Sequence, residues 1–426
     1  MTLVRGHLVD VPEDPFAGGS LRSHVDGALL VRDGVIQARG AAAELATAHP
    51  DEPVLDLRGG LVLPGLVDTH VHYPQVRIVG GLGRQLLEWL DERALPEEMR
   101  LADRTYARAV AEEFVTSLVS AGTTTALVFG AHFPDAVDEL FAATHDAGLR
   151  VAAGLVVSDR FLPAPLLTTP ERALAEGLRL AEQWHGVGRL RYAVTPRFSL
   201  SCTDTMLASC AELLTAVPGA LFTSHVNENP AEVSRVRDLF GTAYVDSYDR
   251  HGLLGPLSVL AHDVHVGDDE LAVLARRGTG IAHCPTSNTA LASGAFPLRR
   301  HLAAGVRVAL GTDVGAGMSF SILREGLHAY LVQRGLGERG QPLGAAELLY
   351  LATTAGARIL GLPQVGHLSV GQRFDAVWVR PAPGSPLALS LPYAVDNADA
   401  VARTFALAGH GDLAGVWIDG SPLSRK

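Results

Sequence analysis

The chain predicts an α/β fold, a (β/α)8 TIM barrel with a small flanking β-sandwich built from the N- and C-terminal segments. Three observations predict it. Eight short apolar, β-rich runs alternate with Ala/Leu/Arg/Glu-rich helical segments between Leu66 and Thr312, and that alternation implies parallel strands joined by crossover helices, closed into a barrel. Further β-like pieces stand outside the series at both ends of the chain. Ionisable residues collect where the runs stop, which is where a parallel barrel places its active site. The division expected is a composite β domain of residues 1–63 with 366–426, and a barrel of residues 64–365.

In chain order, residues 8–11, 28–31, 34–37 and 54–57 read as short strands separated by turn signals such as Arg32-Asp33-Gly34 and Arg58-Gly59-Gly60. Residues 375–379 and 416–420 read the same way and are their expected partners. The barrel strands are expected at 66–70, 124–129, 151–157, 191–195, 220–225, 258–262, 280–283 and 306–312. Helices are legible at 107–121, 170–185 and 268–277. No low-complexity tract or flexible linker interrupts the chain, so the β unit is expected to pack directly on the barrel.

Composition narrows the function. With 426 residues, 47% hydrophobic and 19% charged, the chain can bury an ample core. No run reaches the roughly 18 apolar residues of a membrane helix, and the N-terminus does not read as a signal peptide, so a cytoplasmic enzyme is expected. A net charge of −11 argues against a nucleic-acid surface and leaves room for a free base or small neutral ligand. Cys202, Cys210 and Cys284 form no C-x-x-C pair, which speaks for a reduced compartment and against the zinc deaminases that use H-x-E with P-C-x-x-C. The one lysine is Lys426. This excludes a P-loop lysine, a Schiff base and a modified lysine bridging two metals, so metal chemistry here is expected to be mononuclear.

The central stretch is Leu63-Pro64-Gly65-Leu66-Val67-Asp68-Thr69-His70-Val71-His72. Strand alternation sends His70 and His72 to the same side, and two imidazoles so placed can grip one ion. Later runs end in His225-Val226-Asn227-Glu228, His262-Asp263, His283-Cys284-Pro285 and Gly311-Thr312-Asp313. Singly, each has an ordinary explanation: a lone histidine belongs to the core, Asp313 caps a helix, Glu228 is a solvated charge. Together at the ends of separate strands, three histidines and an aspartate can converge on one ion and leave a position for water.

These residues carry a resemblance. The chain resembles the metal-dependent amidohydrolases and, among them, the guanine deaminase family, from about Leu63 to Asp375. The matching segments are 63–72 with Gln75, Leu87-Glu88-Trp89-Leu90 with Pro96-Glu97-Glu98, and Thr195-Pro196-Arg197-Phe198-Ser199. Ser224-His225 with Glu228-Asn229, His283-Cys284-Pro285 with Ser287-Asn288, and Gly311-Thr312-Asp313 complete the set. The resemblance implies one Zn2+ per subunit, or Fe2+, held by His70, His72, His225 and Asp313. It implies that Glu228 shuttles protons, that His262 holds or polarises the reacting water, and that Gln75, Arg197 and Phe198 bind the purine. A homodimer acting in purine catabolism is implied too. Asp263 and His265, and the order Gly315-Ala316-Gly317, depart from the family pattern and leave their local roles open.

The donor and acceptor chemistry agrees. Arginine only donates, which suits the six-position oxygen and nitrogen 7 of guanine; glutamine can donate and accept, and phenylalanine can stack. The expected reaction is hydrolytic deamination of guanine to xanthine and ammonia. A related deaminase or dehalogenase acting on 8-oxoguanine or a pterin is the alternative within the class, and a catalytically silent barrel scaffold the alternative outside it.

Overall fold

The N-terminal segment lays down β1 (Thr2–Asp10), β2 (Arg22–Arg32), β3 (Val35–Ala41) and β4 (Val54–Pro64). The β2–β3 turn is Asp33-Gly34, whose φ values of 50° and 77° are both positive, as a type I′ hairpin turn requires. The computed structural model describes residues 1–423, and Lys426 lies outside the described residues.

Next come β5 (Leu66–His72), β6 (Thr123–Phe129), β7 (Arg150–Ala153), β8 (Val156–Val157), β9 (Leu190–Pro196), β10 (Leu221–Val226), β11 (Ser258–His262), β12 (Gly280–His283) and β13 (Arg307–Leu310). They pair in parallel in the order β5-β6-β7-β9-β10-β11-β12-β13. Every residue of β5, β6, β10, β11 and β12 is buried, which is why these runs do not alternate between apolar and charged positions as a half-solvated strand would. Beyond the end of β13 the chain closes the barrel against β5. Asp313 N donates to His70 O at 2.8 Å, His72 N to Val314 O at 2.9 Å, and Thr69 Oγ1 to Leu310 O at 2.8 Å.

One expected strand is divided. Residues 151–157 form β7 and β8 with Gly154 and Leu155 between them, where the neighbouring backbone passes too close to residue 154 for a side chain. A Cβ at Gly154 would lie 1.8 Å from Ala193 O. The helix Asp268–Arg277 keeps its expected bounds, with Asp268, Asp269 and Glu270 in the first turn, Arg276 and Arg277 in the last, and Gly278 at φ 68° beyond. Those charges complement the helix dipole and the glycine ends it.

The chain then returns to the first sheet as β14 (Ala376–Val379), β15 (Leu413–Ile418) and β16 (Ser421–Pro422). The order β16-β15-β14-β4-β1-β2-β3 joins both ends of the chain in one mixed sheet of seven strands. Val4, Leu8, Leu29, Ile36, Val62, Phe374 and Trp417 pack together on it. Buried Asp10 ties it down, accepting from Arg22 Nη2 at 2.5 Å, Arg39 Nη1 at 2.8 Å and Leu368 N at 2.8 Å. The sheet packs on the barrel directly: Thr354 Oγ1 donates to Val11 O at 2.7 Å and Arg150 Nη2 to Asp375 Oδ2 at 3.1 Å.

Candidate active site

Alternation along β5 brings Asp68, His70 and His72 to one side of the strand, each buried. The ends of β10, β11 and β13 add His225, His262 and Asp313. His72 Nε2 lies 3.2 Å from His70 Nε2, 3.2 Å from His225 Nε2 and 3.1 Å from Asp313 Oδ1. His70 Nε2 is 3.2 Å from the same carboxylate oxygen. Ligands about 2.0–2.1 Å from a tetrahedral zinc ion stand about 3.3 Å apart, so these separations fit one shared cation. His70, His225, His262 and Asp313 also present ligand atoms within 4.8 Å of one another. The four ligands expected from sequence therefore converge, with His262 beside them.

Protonation supports the same reading. Burial lowers the imidazole of His72 to about 4 against the pull of Asp313, and burial likewise lowers His70 and His225. Neutral imidazole is the form that ligates. His225 Nδ1 donates to Arg197 O at 2.6 Å, which leaves the Nε2 lone pair facing the centre. His262 is held the same way by Asn288 Oδ1, 2.9 Å from its Nδ1, and its Nε2 has no hydrogen-bond partner. The imidazoles of His70, His72, His225 and His262 crowded around one carboxylate make a donor set that suits a divalent ion.

Glu228 stands at the rim. Its Oε2 is 3.4 Å from His262 Nε2, and Ser293 Oγ donates to Oε1 at 3.4 Å. Burial, with the charge of Asp313 added, pushes its carboxyl well above the usual range, as a group that picks up and returns protons requires. The backbone here is under strain: Asn227, His262, Asp263 and Asp313 have φ of 49°, 78°, 50° and 49°. Side chains other than glycine rarely adopt such values, and they concentrate where a site must be aimed.

The other wall holds the expected purine-binding residues. Gln75, Arg197 and Phe198 line the same cavity as His72, His225, Glu228, His262 and Asp313, closed over by Leu86, Trp89 and Leu90. Arg197 Nη1 donates to Glu98 Oε2 at 2.6 Å, and Gln75 Nε2 donates to Glu98 Oε1 at 2.8 Å. Burial pushes Glu98 up, but the Arg197 guanidinium, with His132 behind it, more than reverses this and holds the carboxylate well below its usual range.

Three contributors were missed by the sequence reading. Asp68, one alternation deeper than His70, accepts from His70 N at 3.2 Å, Thr312 N at 3.0 Å and Thr312 Oγ1 at 2.5 Å, and so joins the first and last barrel strands beneath the ligands. An aspartate in phase with His70 and His72 was the available signal. Asn288 orients His262, and its place beside Ser287 after His283-Cys284-Pro285 is the signal for it. Glu98, in the segment Pro96-Glu97-Glu98, carries no local signal of its role. Asp263, left open above, accepts from Asn227 Nδ2 at 2.9 Å and His301 Nε2 at 2.8 Å, joining the loop that carries Glu228 to the turn after His262.

Comparison with known proteins places the chain among its relatives. Residues 27–51 match the imidazolonepropionase-like composite domain of bacteria. The probable guanine deaminase of Deinococcus radiodurans is 56% identical over 435 residues, covering 100% of this chain and 99% of that protein. The solved structure of E. coli guanine deaminase aligns with a TM-score of 0.95 at 37% identity, over 100% of this chain and 99% of that one. Guanine deaminase from C. acetobutylicum, solved with bound guanine in the active site, aligns with a TM-score of 0.92 at 26% identity, over 99% of this chain and 100% of that one. Residues 61–423, the whole span that carries the convergent histidines and Asp313, match the amidohydrolase family, and the chain belongs to that family.

Proposed function

We propose that this enzyme hydrolyses guanine to xanthine and ammonia. The observation that carries the reading is one cavity in which His72, His225 and Asp313, with His70 packed against them, share the lining with Arg197, Gln75 and Phe198. Likeness to guanine deaminases over the whole chain supports it.

Zinc, one ion per chain, is the resident metal in this reading, held by those four residues. A bound divalent cation supplies the Lewis acidity that brings the pKa of water to about 7. The residues do the rest. Asp313 and His262 orient the water for attack on the guanine carbon that bears the exocyclic amine. Glu228 takes one proton from it and passes that proton to a ring nitrogen, then takes the second from the hydroxyl now on that carbon and delivers it to the amine as the C–N bond breaks and ammonia leaves. Arg197 and Gln75 read the polar edge of the base, and Phe198 packs on its face. The reading extends to a homodimer in purine breakdown, supported by the sequence resemblance, and to the cytoplasm, supported by the N-terminal sequence and by the lack, among the described residues, of a helix long and apolar enough to cross a membrane. It also keeps the division into residues 1–63 with 366–426 and residues 64–365, supported by β4 ending at Pro64 and β5 opening at Leu66.

The test is steady-state turnover over a panel of guanine, 8-oxoguanine, a pterin and adenine. Guanine is expected to be the fastest substrate. Negligible turnover of guanine beside rapid turnover of another base would overturn the assignment.

A further inference from the structure

Both side chains expected to read the base converge on a residue that does not face it. Glu98 lies on the helix Leu95–Met99, directly after a π-helical turn at Leu90–Ala94, and is 3% exposed. Its two oxygens are divided between two partners: Oε1 accepts from Gln75 Nε2 at 2.8 Å and Oε2 from Arg197 Nη1 at 2.6 Å, with His132 Nε2 3.4 Å from Oε2. On its far side the Gln75 amide is also constrained, because Gly315 N donates to Gln75 Oε1 at 3.0 Å.

These contacts leave the glutamine no choice of direction. An ionised carboxylate can only accept and a backbone N–H can only donate, so the amide nitrogen faces Glu98 and the amide oxygen faces Gly315. A free glutamine can rotate its terminal amide and offer either end to a ligand; this one cannot. One N–H and one oxygen lone pair of Gln75 remain, in fixed directions, beside the four uncommitted N–H groups of Arg197. The same carboxylate neutralises a guanidinium that is itself 3% exposed. A buried unpaired arginine would demand an anionic ligand, whereas a paired one offers donors without net charge.

We infer that Glu98 is a specificity-determining positioning residue: it locks the amide sense of Gln75 and the plane of Arg197, and so tunes the cavity for an uncharged base with an acceptor-rich edge. This rests on the reading of Gln75 and Arg197 as the pair that binds the base. Glu98 does not touch the base and acts only through those two side chains.

Glu98→Gln keeps the size and breaks the logic. The new amide can offer its oxygen to Arg197 only by turning its NH2 toward Gln75. Gln75 must then flip, which sets its own NH2 against Gly315 N–H, or leave two donors facing each other. With the best base of the panel as substrate, E98Q should lose about 10–100-fold in kcat/KM, the range expected when one buried polar pairing is broken. Most of the loss should appear in KM, with metal content equal to that of the wild type. In a Gln75→Ala background, where no amide remains to orient, the same substitution should cost at least threefold less. Glu98→Asp, which keeps both acceptors, should recover part of the loss.

A KM unchanged in E98Q, a loss carried wholly by kcat together with loss of metal, or equal costs in the two backgrounds would overturn the assignment. If E98Q is recovered unfolded, the comparison of Glu98→Asp with and without Gln75→Ala decides in the same way. Failure of the guanine reading is separable, because it appears as the wrong preferred base in the wild type, whereas failure here appears only in the ratio of variant to wild type on whichever base is preferred.

Discussion

The two walls of the cavity treat buried charge in opposite ways. On the metal-facing wall, Asp313 and Glu228 are buried beside imidazoles, and among the described residues neither forms an ion pair with an arginine. On the base-facing wall, Glu98 is buried to the same degree but is matched by Arg197 and Gln75 within 2.6–2.8 Å. The first wall is incomplete without an external cation. The second is complete within the protein. An unsatisfied cluster marks where chemistry is done, and a satisfied one marks where a ligand is recognised by groups already held in place.

The contrast can be broken most sharply at Glu228. Glu228→Gln should cut kcat about 10²–10⁴-fold, the usual worth of a proton-transfer group, while metal content stays at the wild-type level. Its stability should be unchanged or raised, since an unpaired buried acid is removed. Parallel measurement of kcat, bound metal and denaturation midpoint checks this, and unchanged turnover would remove Glu228 from the mechanism. Across the cavity the expectation reverses. Arg197→Met strands the Glu98 carboxylate in the interior and should cost about 3–5 kcal/mol of stability as well as base binding. Urea denaturation reads it, and a variant as stable as the wild type would show that the Arg197–Glu98 pair is not the self-contained unit described here.

The smallest effect concerns Glu232, behind Glu228, whose Oε1 accepts from Tyr244 Oη at 2.5 Å. Burial, and then the charge of Glu228, raise its carboxyl to about 7. Because the folded chain holds this proton more tightly than the unfolded chain does, the contribution to stability is present below the unfolded value of about 4.3 and is lost as pH rises through about 7. Thermal unfolding of wild type and Glu232→Gln should therefore show the wild type losing ground relative to the variant between about pH 5 and 8. A constant gap across that window would contradict the shift.

Much of this was legible in the sequence, for reasons that can be named. The strands at 258–262 and 280–283 and the helix at 268–277 fall where periodicity and caps place them. His70 and His72 were readable because alternation is local. What stayed hidden depends on contacts between distant segments. Nothing near Gly154 reveals that Ala193 O will press against it, where the expected strand divides. Glu98 is 23 residues from Gln75 and 99 from Arg197, so its pairing is invisible until the barrel closes. Asp68 in an apolar strand could have been found, since it lies in phase with the two histidines.

Metal-free protein titrated with Zn2+ while ammonia release from guanine is followed tests the centre of the mechanism most directly. Turnover should be absent at the start, rise in proportion to added metal and saturate at one equivalent per chain. Full turnover before any metal is added, or none after the cluster is filled, would contradict a single cation held by His70, His72, His225 and Asp313.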